Sequence, residues 1–159
     1  MKRFVLFALL MSAGSLLYAL DQKAFDSVVD FNLNVQQIDT LVSQSKQGEI
    51  DPGKFLVLNG SVASIEVIRP AEKDYLALVE LVTGKWTGLE KVNLYRVYLI
   101  LSGPGFFKRM PAREPVNPPS DMIAVNDQIM VVGTYADVGQ APDGKNVAVI
   151  RGLEVRNMQ

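Results

Sequence analysis

Apolar and polar positions along this chain follow two different periods. Val35, Ile38, Leu41 and Val42 recur at helical spacing and predict a short helix from about Val35 to Lys46. Asn34 can cap it, Gln37 three residues on completes a capping box, and Gly48 followed by Asp51-Pro52-Gly53 stops it. Just upstream, Val29, Phe31, Leu33 and Val35 alternate with Asp30, Asn32 and Asn34 as a half-buried strand does. A helical start as early as Ala24 stays open.

From Lys54 onward the pattern is that of strands. Lys54 to Arg69 is a long run whose apolar register shifts around Asn59-Gly60, where a glycine predicts a bulge or a sharp bend. Pro70 to Asp74 turns the chain into a second run, Tyr75 to Thr83, ended by Gly84. A third, Leu94 to Ser102, is apolar on both faces, as a central strand is, with Tyr95, Val97, Leu99 and Leu101 opposite Leu94, Arg96, Tyr98 and Ile100. Gly103 to Asp127 carries Pro104, Pro111, Pro115, Pro118 and Pro119, so a loop is expected there. Asn126-Asp127 then turns into a fourth run, Gln128 to Ala136. A hairpin loop from Gly139 to Asn146, holding Pro142-Asp143-Gly144, leads to a fifth, Val147 to Val155.

Three strands, a long connection and two more strands, with a bent glycine-bearing first strand, resemble the OB-fold barrel. The phrase Val125-Asn126-Asp127-Gln128-Ile129-Met130-Val131-Val132-Gly133-Thr134-Tyr135 is similar to the fourth strand of OB domains, where a polar turn enters a strand with a glycine at its middle. The resemblance covers about residues 54–156. It implies a mainly β protein, a five-stranded Greek-key barrel preceded by one short helix. Many OB domains place a helix between the third and fourth strands, and here a proline-rich loop stands instead; the helix at 35–46 could plug the barrel in its place.

The start of the chain has a separate logic. Lys2-Arg3, an apolar run from Phe4 to Met11, small residues and Leu16-Leu17-Tyr18-Ala19 form the charged head, apolar middle and small-residue exit of a secretory signal peptide. The expected organisation is therefore a signal peptide over 1–19 cut near Ala19, an N-terminal segment over 20–53 and a barrel over 54–157, in a periplasmic or secreted protein.

Composition narrows the chemistry. With no cysteine and no histidine, a thiolate nucleophile, an imidazole base, a disulfide and a Cys/His zinc site are excluded. Losing Lys2 and Arg3 with the leader leaves 14 basic against 17 acidic residues, a poor balance for neutralising phosphates, so nucleic acid is set aside as a partner. Asp137, Asp143 and Asn146 lack the regular oxygen-ligand alternation of a calcium loop; no metal and no cofactor is expected.

Three surfaces remain. In Phe106-Phe107-Lys108-Arg109-Met110-Pro111-Ala112-Arg113, bases and aromatics interleave, as a partner contact would need; the plainer alternative tucks Phe106 and Phe107 into the barrel end and leaves Lys108, Arg109 and Arg113 solvated. Trp86, between Gly84 and Gly88, is either a stacking platform in a turn or, more commonly for such a residue, a lid on the core. Tyr75, Tyr95, Tyr98 and Tyr135 read as packed strand residues. By the OB resemblance, the ligand loops are those holding Arg69, Glu72, Lys73 and Asp74 and Gln140, Asp143, Lys145 and Asn146. The expected function is a non-catalytic exported domain contacting an envelope protein or envelope ligand. The alternatives are a small hydrolase, such as a glycoside hydrolase, working through paired carboxylates among Glu66, Glu80, Asp121 and Asp127, and a nucleic-acid-binding OB domain, which the charge balance disfavours.

Overall fold

The computed structural model describes residues 22–88, 91–113 and 115–158, so the leader expected over 1–19 lies outside the described residues. In chain order the elements are α1 (Gln22–Val28), β1 (Val29–Asp30), α2 (Val35–Ser43), β2 (Phe55–Arg69), β3 (Leu76–Trp86), β4 (Val92–Ser102), α3 (Pro104–Phe107), β5 (Gln128–Gln140) and β6 (Asn146–Asn157). The stretch that reads as strand or helix is both: α1 runs to Val28, and β1 then pairs in parallel with β2 through Val29 opposite Phe55.

Strands β2 to β6 close into a barrel in the order β2-β3-β4-β6-β5, with β5 returning to β2. The fold is mainly β, an OB-like five-stranded barrel preceded by a short helix. Closure depends on the length of β2, whose residues Phe55–Ser61 pair with β5 and whose residues Ser61–Arg69 pair with β3. Gly60 sits at this change of partner. A Cβ there would lie 2.6 Å from the carbonyl oxygen of Val82, so only glycine lets the two backbones approach. The expected bulge at Asn59-Gly60 is corrected: the irregularities in β2 fall between Val62 and Ser64 and between Val67 and Arg69. Strand β4 is central in the sense of having neighbours on both sides, β3 antiparallel and β6 parallel.

Two strands outrun their expected ends. Gly84 does not stop β3, because Gly84, Lys85 and Trp86 continue the ladder opposite Leu94, Asn93 and Val92. The chain reverses only beyond Thr87, whose N–H donates to the Lys91 carbonyl at 2.8 Å, with Gly88 supplying the positive φ of +93°. Likewise β5 reaches Gln140, and the last hairpin turn shrinks to residues 141–145.

Each end of the barrel is closed by a different piece. At the end where β4 begins, α2 inserts Val35, Ile38 and Val42, all buried. Both halves of its capping box form, the Gln37 N–H on Asn34 Oδ1 at 3.0 Å and the Asn34 N–H on Gln37 Oε1 at 2.8 Å. The helix stops at Ser43 rather than Lys46, and Ser45 turns the chain with φ +58°. At the opposite end, the connection from Gly103 to Asp127 buries Phe106, Met110 and Ile123, and the Tyr75 hydroxyl donates to the Met110 carbonyl. Proline enrichment does not leave this connection wholly irregular, because Pro104 opens α3 at a position where the missing N–H costs nothing. Truncating one of these buried plugs, as in Ile38→Ala, costs about 2–5 kcal/mol.

Candidate functional site

The outer face of the β3–β4 hairpin is built by strand alternation. Odd-numbered Ala77, Val79, Leu81, Val97, Leu99 and Leu101 are buried, so the even-numbered residues point outward. Cross-strand partners on that face are Trp86 with Val92, Gly84 with Leu94, Val82 with Arg96, Glu80 with Tyr98 and Leu78 with Ile100. Beyond Val82, β3 has no pairing with β2, and β4 pairs with β6 only from Val97 on. Residues 83–86 and 92–95 therefore form a two-stranded arm that leaves the barrel wall. Trp86 is 69% exposed and Leu94 68%, with Lys85 and Lys91 exposed beside them. This corrects two expectations for Trp86: it is a strand residue, and its side chain points away from the core on the exposed face of the arm.

Arg96 stands at the root of the arm. Its Nη2 donates to Asp143 Oδ2 at 3.2 Å, and its Nη1 lies 3.6 Å from Glu80 Oε1. Ser64, Glu66, Leu78, Glu80, Arg96 and Tyr98 line an open cleft of about 330 Å³ that Pro142 and Asp143 overhang from the last turn. Burial, with the Glu80 and Asp143 carboxylates adding to it against Arg96, pushes the Tyr98 phenol up. Tyr98 thus stays a neutral donor with an aromatic face. Behind the strand, Asp39 Oδ1 of α2 accepts from the Arg96 backbone N–H at 3.2 Å. Burial raises the Asp39 carboxyl, opposed by that hydrogen bond and by the charges of Arg96 and Lys145.

The other predicted residues are dispersed. Phe106 is buried, and Phe107 packs edge-on against Tyr75 with centroids 6.0 Å apart. Arg109 is a tether, its Nη2 donating to the Val155 carbonyl at 2.6 Å while Asp121 and Glu154 flank the guanidinium at 3.3 and 3.7 Å. Lys108 and Arg113 are exposed. The 106–113 segment thus closes the barrel, with the aromatics and Arg109 turned inward. Arg69 pairs with Asp74 at 3.9 Å and Lys73 is exposed, and neither lines the cleft. Lys145 lies 3.9 Å from Asp143, so of the two predicted ligand loops only the last turn reaches the hairpin face. Tyr95 and Tyr135 pack against the core. Glu66, Glu80, Asp121 and Asp127 include no buried acid, which the paired-carboxylate hydrolase requires. Among the described residues, no cluster of acidic side chains is arranged to hold a metal ion.

Sequence reasoning did not single out Leu94 and Arg96, which share the face of Trp86. The available signal was their register, since Trp86, Leu94, Arg96 and Tyr98 share one parity on two strands joined by a glycine turn.

No family model and no curated protein matches the sequence. Several solved structures share the barrel. A small single-stranded DNA-binding protein from Streptomyces coelicolor matches at 12% identity and a TM-score of 0.43, covering 65% of this chain and 90% of its own. One from Mycoplasma pneumoniae matches at 12% identity and 0.39, over 66% and 93%. A Plasmodium falciparum single-stranded DNA-binding protein in complex with single-stranded DNA matches at 12% and 0.41, over 66% and 94%. At this distance the likeness is one of fold alone. Each of these proteins is named for binding single-stranded DNA and none for an envelope partner, so the expectation of an envelope protein or envelope ligand, with nucleic acid set aside, finds no support among them. Whole-chain charge does not decide the partner of a small barrel, because a partner is touched through one face and the charge on that face is a local matter.

Proposed function

We propose that this chain is a non-enzymatic OB domain that binds a single strand of nucleic acid along the outer face of the β3–β4 hairpin. The observation that carries the reading is the exposed Trp86 on a two-stranded arm, with exposed Lys91 at its tip and Arg96 and Tyr98 further along the same face as Trp86. Single-strand binding without sequence readout needs aromatic faces on which bases stack and cations that follow the backbone. Trp86 and Tyr98 supply the first, and Arg96, with Lys91 at the tip of the arm, the second. From the Trp86–Val92 pair to Tyr98 is six residues of strand, about 20 Å, which is room for several nucleotides.

Fluorescence anisotropy of a labelled oligothymidylate tests this at low and moderate salt. The expected result is salt-sensitive binding that Trp86→Ala weakens; no binding at low salt, or equal binding by Trp86→Ala, overturns it. We propose export separately, on the opening twenty residues alone. N-terminal sequencing of the native protein checks it, a start near Leu20 supporting export and an intact Met1 overturning it.

A further inference from the structure

Asp143 lies between two cations. Its Oδ2 is 3.2 Å from Arg96 Nη2 and 3.9 Å from Lys145 Nζ, so one carboxylate on the last turn occupies two positive groups at the edge of the hairpin face. The turn that presents it is tight, with the Ala141 N–H on the Lys145 carbonyl and the Gly144 N–H on the Ala141 carbonyl, both at 2.8 Å, and with Gly144 at φ +80°. Asp143 Oδ1 is engaged separately, accepting from the Lys145 backbone N–H at 3.2 Å. The carboxylate thus rests with one oxygen on the turn and the other on Arg96.

We propose that Asp143 is a built-in competitor for phosphate at this site, an autoinhibitory contact that masks Arg96 and Lys145 until a polyanion displaces it. The inference rests on the nucleic-acid reading above. The groups facing Arg96 are Glu80 on β3, Tyr98 on its own strand, Asp39 on α2, Asp143 and Lys145 on the turn, and Glu66 across the cleft. Glu80 and Asp39 belong to the barrel wall and to the plugging helix. Asp143 alone among these carboxylates lies on an exposed turn outside the barrel wall and the plugging helix, so its side chain can rotate off Arg96 and give place to a phosphate while the turn itself is kept. Displacement releases Lys145 and the Nη2 side of Arg96 at once, while Nη1 keeps its contact with Glu80. Binding is therefore weaker than the count of cations on the face implies.

The test compares Asp143→Asn with Asp137→Asn, an equal charge change at an exposed acid of the same hairpin that makes no ion pair among the described residues, its Oδ1 accepting from the Val138 N–H. Asparagine at 143 keeps the Oδ1 acceptor and the turn. Oligothymidylate affinity is expected to rise about fivefold or more in Asp143→Asn, with a salt dependence steeper by up to about two phosphate contacts, and to change much less in Asp137→Asn. In an Arg96→Ala, Lys145→Ala background, Asp143→Asn is expected to have no such effect. Equal gains from both single variants, or a gain that persists without the two cations, overturn the masking role while leaving the binding reading intact. Failure of the wild type and Asp143→Asn alike to bind overturns the reading beneath it.

Discussion

The Arg109 guanidinium donates to the main-chain carbonyl of Val155 at 2.6 Å and so fastens the proline-rich connection to the last strand. The side chain is only 15% exposed, so this is a charge-assisted bond in a partly dry setting. Arg109→Ala leaves the Val155 carbonyl without that donor and is expected to lower stability by about 1.5–3 kcal/mol. Urea denaturation checks the loss. Oligonucleotide affinity of the folded variant is expected to stay at the wild-type value, which separates the tether from the hairpin face.

Trp86 is the sole tryptophan, so the arm carries its own reporter. Adding oligothymidylate is expected to quench its emission in proportion to binding. Loss of the stacking face in Trp86→Ala should cost about 1–3 kcal/mol of affinity, read by anisotropy, while thermal stability moves less because most of the side chain is exposed.

Lys91 acts, on this reading, as a phosphate contact at the tip of the arm. Replacing it with alanine is expected to flatten the dependence of log K on log salt by about 0.7 on a single strand, and an unchanged slope would remove it from the interface. Lys85→Ala, on the opposite face of β3, is the comparison and is expected to leave the slope unchanged.

Asp39 gives a pH-dependent stability whose sign follows from its raised carboxyl. The folded protein holds this proton more tightly than the unfolded chain, so stability falls as pH rises from the ordinary aspartate value of 3.8 through the raised one, and stays lower above it. Asp39→Asn keeps an acceptor for the Arg96 N–H and carries no charge to desolvate. Its melting temperature is expected to exceed that of the wild type near neutrality, with the gap narrowing below pH 3.8.

Gly133 tests closure of the barrel. A Cβ there would lie 2.5 Å from the Arg151 carbonyl oxygen and 2.9 Å from Ile150 Cγ2, and main chain cannot yield as a side-chain tip can. Gly133→Ala is expected to cost about 1–3 kcal/mol or more, measured by denaturation. Gly105, which has nothing within 4 Å of such an atom, serves as the tolerant comparison.

Local chemistry alone determined much of this protein. The capping box of Asn34 and Gln37, the apolar stripe of Val35, Ile38 and Val42, the five extended runs and the polar turn at Asn126-Asp127 were all legible, because each depends on neighbours within a few residues. Only the tertiary structure decided the rest. Gly84 reads as a stop in isolation, but the partner strand from Val92 to Leu94 keeps it in the ladder and carries Trp86 out onto an arm. Arg109 reads as a solvated base until the last strand, 46 residues away, offers it the Val155 carbonyl. Arg96 meets Asp143 across 47 residues for the same reason. Periodicity and caps are properties of a short segment, whereas the fate of an exposed aromatic or a lone cation depends on which distant backbone closes beside it.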